Sequence, residues 1–128
     1  MAPSHSPRFE KLCEEARAKV CECSIDDLLA RQQAGDKIIL LDVREESEFA
    51  VNHLPGARHL GKGIIERDIE QAHPHCDTEL VLYCGGGYRS ALAADNLQRM
   101  GYTRIISLAG GYRAWKDRGL PLEAARGS

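Results

Sequence analysis

Cys84 stands between an apolar run, Leu80-Val81-Leu82-Tyr83, and a glycine turn, Gly85-Gly86-Gly87, which leads through Tyr88-Arg89-Ser90 into Ala91-Leu92-Ala93-Ala94. That order of residue types predicts a strand, a tight turn and a helix, with the thiol at the C-terminal end of the strand. Three glycines let backbone N–H groups converge on one point, and the following helix adds the positive end of its dipole there. Such surroundings favour the thiolate, the nucleophilic form of cysteine. The chemistry indicated is covalent catalysis by Cys84, with negative charge on the reacting group held by the N–H groups of Gly85, Gly86, Gly87, Tyr88 and Arg89. Arg89 either offers its guanidinium to an anionic substrate or pairs with a nearby carboxylate as a strut, and the sequence leaves both open. Tyr88 is expected on the pocket rim.

The elements that must position this segment alternate along the chain. Phe9, Leu12, Cys13 and Ala16 recur at helical spacing and predict an amphipathic helix over residues 7–19. Residues 20–23 read as a short strand. Ser24 then caps a helix with Asp26 and Asp27 in its first turn, Leu28 and Leu29 facing the core, and Gly35 at its end. Residues 38–42 form a continuously apolar strand, of the kind buried on both faces in a parallel sheet, with Asp42 at its carboxyl end. A short helix over 45–51, a Pro55-Gly56 turn, a brief strand at 57–60 and a helix over 63–72 follow. Beyond Cys84, a helix over 90–100 should bury Leu92, Ala93, Leu97 and Met100, and a last strand over 104–108 precedes Gly110-Gly111 and a helix containing Trp115. This alternation implies an α/β fold of three layers around a mostly parallel sheet. Ligands of such sheets sit outside the carboxyl ends of the strands, so Asp42 and Cys84 are expected to share one site.

The chain has 128 residues, 43% hydrophobic and 28% charged, enough for one domain whose core needs neither disulfides nor metals. A formal net charge of −2 leaves no electrostatic footprint for nucleic acid, and no apolar run is long enough to cross a membrane. The start, Met1-Ala2-Pro3-Ser4-His5-Ser6-Pro7, has neither the basic opening nor the apolar core of a secretion signal, so the cytoplasm is the expected compartment. Five cysteines, Cys13, Cys21, Cys23, Cys76 and Cys84, are an odd number and point to reduced thiols rather than a disulfide framework. Cys21 and Cys23, two apart, should pack together on the core side of their strand. His73-Pro74-His75-Cys76 crowds three potential ligands around a proline without a fourth-ligand motif elsewhere, so no metal site is expected there.

Three motifs together resemble a known family. Leu41-Asp42-Val43-Arg44-Glu45, with Glu48-Phe49 and His53-Leu54-Pro55-Gly56-Ala57, resembles the opening motif of rhodanese domains. Residues 84–89 resemble their six-residue active-site loop, and Leu108-Ala109-Gly110-Gly111 with Trp115, Gly119 and Pro121 resembles their closing motif. The resemblance divides the chain into an N-terminal helical extension at 1–19, a rhodanese domain at 20–122 and a tail at 123–128. It implies the single-domain form of the fold, a five-stranded mostly parallel sheet with helices on both faces. It also implies a sulfurtransferase that takes the sulfane sulfur of thiosulfate or a persulfide onto Cys84 and passes it to a thiol, cyanide or another acceptor, a protein among them. No metal or organic cofactor is implied.

Asp42 and Arg44 fall where the family organises the loop and pocket, and His53 where a histidine steadies the connection before the Pro-Gly turn. Asn52 stands where the family usually has glycine, and Asn tolerates left-handed backbone angles. No basic side chain lies inside the loop, unlike several thiosulfate-using relatives, so the donor stays open between thiosulfate and a persulfide carried by a small thiol or a protein. Two other classes also stay open. One is a non-catalytic binding or regulatory module of the same fold, which typically lacks the cysteine. The other is a Cys-dependent phosphatase or arsenate reductase, whose loop has five residues between Cys and Arg where this chain has four.

Overall fold

The computed structural model describes residues 6–124. The outermost parts of the expected extension and tail, residues 1–5 and 125–128, lie outside the described residues, as does most of the segment compared with a secretion signal. Five strands, β1 (Cys21–Cys23), β2 (Leu40–Asp42), β3 (Arg58–His59), β4 (Leu80–Tyr83) and β5 (Ile105–Leu108), form one sheet. Their order is β1-β5-β4-β2-β3 and every pairing is parallel. Parallel neighbours need long crossovers. The chain supplies them as helices α2 (Ile25–Gln33), α3 (Glu46–Val51), α4 (Ile65–Ala72) and α5 (Tyr88–Arg99), with α1 (Pro7–Arg17) before the sheet and α6 (Gly111–Asp117) after it.

β4 is the central strand, and all four of its residues are buried. Successive side chains of a strand point to opposite faces. Leu80, Leu82 and the following Cys84 accordingly join one apolar cluster with Ile65 and Ile69 of α4 and Ala93 and Leu97 of α5. Val81 and Tyr83 join the other, with Ile25 and Leu28 of α2 and Trp115 of α6. The fold expected from the sequence is therefore present, with helices on both faces. Its local signals also act as read. The Ser24 hydroxyl accepts from the Asp27 N–H at 3.0 Å, the Asp27 carboxylate accepts from the Ser24 N–H at 3.1 Å, and Gly35 follows the helix at φ +90°.

Three expectations need correction. Cys23 packs against the core, but Cys21 is exposed. β1 is an edge strand paired only to β5, which leaves its outer side without a neighbouring strand. In α5 the buried residues are Ser90, Ala91, Ala93, Ala94 and Leu97, while Leu92 is half-buried and Met100 exposed. Packed against β4, β5, α1 and α4, this helix buries four small side chains and Leu97. Asn52 is extended (φ −166°, ψ 165°) rather than left-handed, and it is held by its hydrogen bonds instead.

α1 joins the same body. It packs on α5, burying Cys13 and Ala16 and leaving Leu12 outward at 54% exposure. Leu82→Ala, which removes a fully buried side chain between two layers, should cost about 2–5 kcal/mol in urea denaturation. Leu12→Ala should stay within about 0.5 kcal/mol. Equal losses from the two would contradict this layering.

Candidate active site

Cys84 follows the last residue of β4 and is 1% exposed. Gly87, at φ +104°, turns the chain into α5 and donates its N–H to Cys84 Sγ at 3.0 Å. One turn on, Ser90 Oγ lies 3.6 Å from Sγ and 2.8 Å from Ser107 Oγ on β5, and both serines are fully buried. A protonated Cys84 donates to Ser90; a thiolate accepts from it.

The loop's shape is imposed from the neighbouring strand. Gly110 and Gly111 follow β5, and α6 starts at Gly111 with its first N–H groups aimed at the loop. The Tyr112 N–H donates to Cys84 O at 2.8 Å, and the Arg113 N–H donates to Gly85 O at 2.9 Å. A peptide unit is planar and trans, so its N–H points opposite to its carbonyl. Anchoring these two carbonyls on α6 therefore turns the Gly85 and Gly86 N–H groups away from it. Among the described residues those two N–H groups have no hydrogen-bond partner. The approach is close enough to require glycine. A Cβ on Gly111, at φ +53°, would collide with the Cys84 carbonyl and stand 3.2 Å from Gly85 O.

A cavity of about 270 Å³ opens onto Cys84, lined by Phe9, Gly86, Tyr88, Arg89 and Arg113. The two guanidinium groups flank the glycines. A Cβ built on Gly85 would lie 3.3 Å from Arg89 Nη2, and one on Gly86 would lie 3.2 Å from Arg113 Nη1. Arg89 also pairs with Glu48 at 3.0 Å, so it is a strut and a cavity wall at once. Partial burial raises the Glu48 pKa, but Arg89 and the Glu45 N–H outweigh it and hold the carboxyl below its usual range. Tyr88, expected at the rim, lines the cavity with its ring 6.1 Å from that of Phe9, edge to face at 79°.

Phe9 and Arg113 were not among the sequence candidates. The signal for Arg113 was a second glycine turn opening a helix, Gly110-Gly111-Tyr112-Arg113, but only the strand order puts that turn beside Cys84. Phe9 had no local signal beyond its place on the apolar face of α1.

Asp42 and Arg44 lie on the other side of β4, off the cavity. Asp42 is fully buried and in register with Tyr83. Its carboxylate accepts from the Arg44 backbone N–H at 2.9 Å and from the Arg44 guanidinium at 2.7 and 3.0 Å. Arg44, 3% exposed, also donates to Asn52 O at 2.7 Å and stacks 4.2 Å from the Tyr112 ring centroid. Tyr112 in turn donates its hydroxyl to Asn52 Oδ1 at 2.6 Å. The pair thus braces the residue whose N–H holds the Cys84 carbonyl. Burial, with Asp42 alongside, pushes the Tyr83 phenol well above its usual range, and its oxygen accepts from the Leu54 N–H at 3.1 Å. His53 is remote from this chemistry: it stacks on Phe49 at 3.8 Å and exchanges backbone hydrogen bonds with Glu123.

The other cysteines differ from Cys84 in setting. Burial pushes the Cys23 thiol up to about 11, and burial, then the nearby Cys84, raises Cys13. Cys21 and Cys76 are exposed. Among the described residues no three His, Cys, Asp or Glu side chains gather to hold a metal ion, and no helix is long and apolar enough to cross a membrane.

Comparison with known proteins agrees with this architecture. A sulfurtransferase of Allochromatium vinosum is 33% identical over 108 residues, covering 84% of this chain and 99% of the relative. The thiosulfate sulfurtransferase GlpE of Ectopseudomonas mendocina is 31% identical over 99 residues, covering 77% of this chain and 88% of the relative. Among solved structures, protein RPA3614 of Rhodopseudomonas palustris, described as of unknown function and a possible tyrosine phosphatase, has a TM-score of 0.77 at 28% identity. It covers 96% of this chain and 99% of its own. Residues 24–118 match the Rhodanese-like domain, and with the sheet order, the glycine loop and relatives of similar length in agreement, this chain belongs to the rhodanese-like family.

Proposed function

We propose that this protein is a sulfurtransferase that carries sulfane sulfur as a persulfide on Cys84. The observation that carries this reading is the pair of carbonyl anchors on α6, which leaves the Gly85 and Gly86 N–H groups directed away from α6 beside a buried thiol that already accepts from Gly87. In the first half-reaction the Cys84 thiolate attacks the outer sulfur of the donor. The new S–S bond forms as the donor's own S–S bond breaks, and with thiosulfate the bonding pair leaves on sulfite. In the second, a thiolate or cyanide attacks the outer sulfur, and the Cys84 thiolate returns. The negative charge rests on the terminal sulfur in between, where fixed N–H dipoles hold it without reorganisation. Arg89 and Arg113 draw in an anionic donor, while Asp42 and Arg44 act as supports through Tyr112. A protein thiol is an admissible acceptor, and the setting proposed is the cytoplasm.

The presence of Cys84 favours this reading over a non-catalytic module. The four-residue spacing to Arg89 makes a cradle sized for a sulfur atom rather than a phosphate, which favours it over a phosphatase. Thiocyanate formation from thiosulfate and cyanide, repeated with other persulfide donors and run beside hydrolysis of p-nitrophenyl phosphate, separates the three. Turnover of the phosphate alone, or of no sulfur donor at all, would overturn the proposal.

Cys84→Ser should abolish both thiocyanate formation and the mass gain of one sulfur atom on the protein. Replacing Cys13, Cys21, Cys23 and Cys76 together by Ala should preserve both. Loss of activity in that quadruple variant with an intact circular dichroism spectrum would show that a second thiol is required.

Gly86→Pro deletes the N–H that shares a peptide with the anchored Gly85 carbonyl, and it should lower persulfide formation at least about a hundredfold, the scale of losing one oxyanion donor. A near-normal rate would show that the loop backbone does not hold the sulfur.

Arg89→Gln should raise the apparent KM for thiosulfate several-fold and flatten its dependence on salt, while a neutral persulfide donor is less affected. If both donors suffer alike and the melting temperature falls, the pairing with Glu48 is the whole of its role.

A further inference from the structure

The cavity over Cys84, of about 270 Å³, is not walled by charge alone. Its lining combines two guanidinium groups with two aromatic rings in edge-to-face contact. One of those rings, Phe9, comes from α1, ahead of the residues that match the family. α1 is fixed in place by Cys13 and Ala16, buried against α5, so Phe9 is presented by a packed helix rather than a loose terminus. A cation pair beside an aromatic corner suits a ligand that is anionic at one end and apolar at the other.

We propose that α1 is part of the active site, and that Phe9 with Tyr88 selects a donor whose anionic sulfane-sulfur group carries a ring-sized apolar substituent, an organic thiosulfonate in preference to thiosulfate. The proposal rests on the Cys84 persulfide reading. In the step concerned, Cys84–S⁻ attacks the outer sulfur of R–SO₂–S⁻. The Cys84 S–S bond forms, the donor S–S bond breaks, and the electron pair leaves with the sulfinate R–SO₂⁻. Two negative charges enter and two leave, with no oxidant or proton required. Arg89 and Arg113 face the sulfonyl oxygens, and the ring of R rests on Phe9 and Tyr88.

The test compares sodium benzenethiosulfonate with sodium methanethiosulfonate on the full chain, with cyanide as acceptor. Each kcat/KM is divided by the rate constant of the same donor with cyanide alone, which removes intrinsic reactivity. The unsubstituted protein should prefer the phenyl donor by about three- to tenfold, the size of one aromatic contact. Phe9→Ala should bring that ratio close to one, chiefly through KM, and Phe9→Tyr should restore it. A ratio near one in the unsubstituted protein overturns the proposal even if Phe9→Ala fails to fold, and so does a preference that Phe9→Ala leaves unchanged. If the methyl donor, the phenyl donor and thiosulfate all leave Cys84 without a persulfide, the sulfurtransferase reading itself has failed. Turnover without phenyl preference removes only the present inference.

Discussion

Two glycine turns pressed together, one after β4 and one after β5, are the constraint from which the site's geometry descends. Each strand ends at the same edge of the sheet, and parallel pairing puts their outgoing loops side by side. The contact is backbone to backbone. Gly111 has no room for a Cβ against Cys84, and a Cβ on Gly87 would stand 3.4 Å from the Gly110 nitrogen. Within that contact the two bonds from α6 to the loop carbonyls fix the orientation of whole peptide planes. Two N–H groups are thus turned away from α6 without any side chain in the loop, and the surroundings of Cys84 are set by the adjacent strand as much as by its own.

On the opposite side of β4 the buried Asp42–Arg44 pair performs a related service. Two charges taken out of water are costly unless their hydrogen bonds are met. Here the carboxylate meets both the backbone and the guanidinium of Arg44, and Arg44 spends its remaining capacity on Asn52 and the face of Tyr112. No buried side-chain polar atom lacks a partner among the described residues. The pair therefore ties β2, the connection after α3 and the first turn of α6 into one frame, and the loop hangs between that frame and β5.

Much of this was legible in the sequence because it rests on local rules. The run 80–83, the glycines and the alanine-rich helix declare strand, turn and helix in order, and the element bounds agree within two residues around Cys84. What local rules do not carry is which loops become neighbours. Asp42 ends a strand and is expected to share the site, yet the residues from outside the Cys84 segment that reach the cavity come from α6 and α1. That outcome depends on β5 lying next to β4 and on α1 folding back over α5. Asn52 illustrates the same limit at one residue: its type suggested a left-handed turn, but hydrogen bonds from Arg44 and Tyr112 hold it extended. Cys21 illustrates it for burial, since alternation says which face a side chain takes but not whether that face is covered.

Synthesis runs from the N-terminus, and the residues that anchor the Cys84 loop, Tyr112 and Arg113, come after it in the chain. A nascent chain that has emerged only through α5 holds the cysteine and all three glycines but has no α6 to orient their peptides. The loop therefore takes its final shape late, when α6 docks on the Cys84 and Gly85 carbonyls.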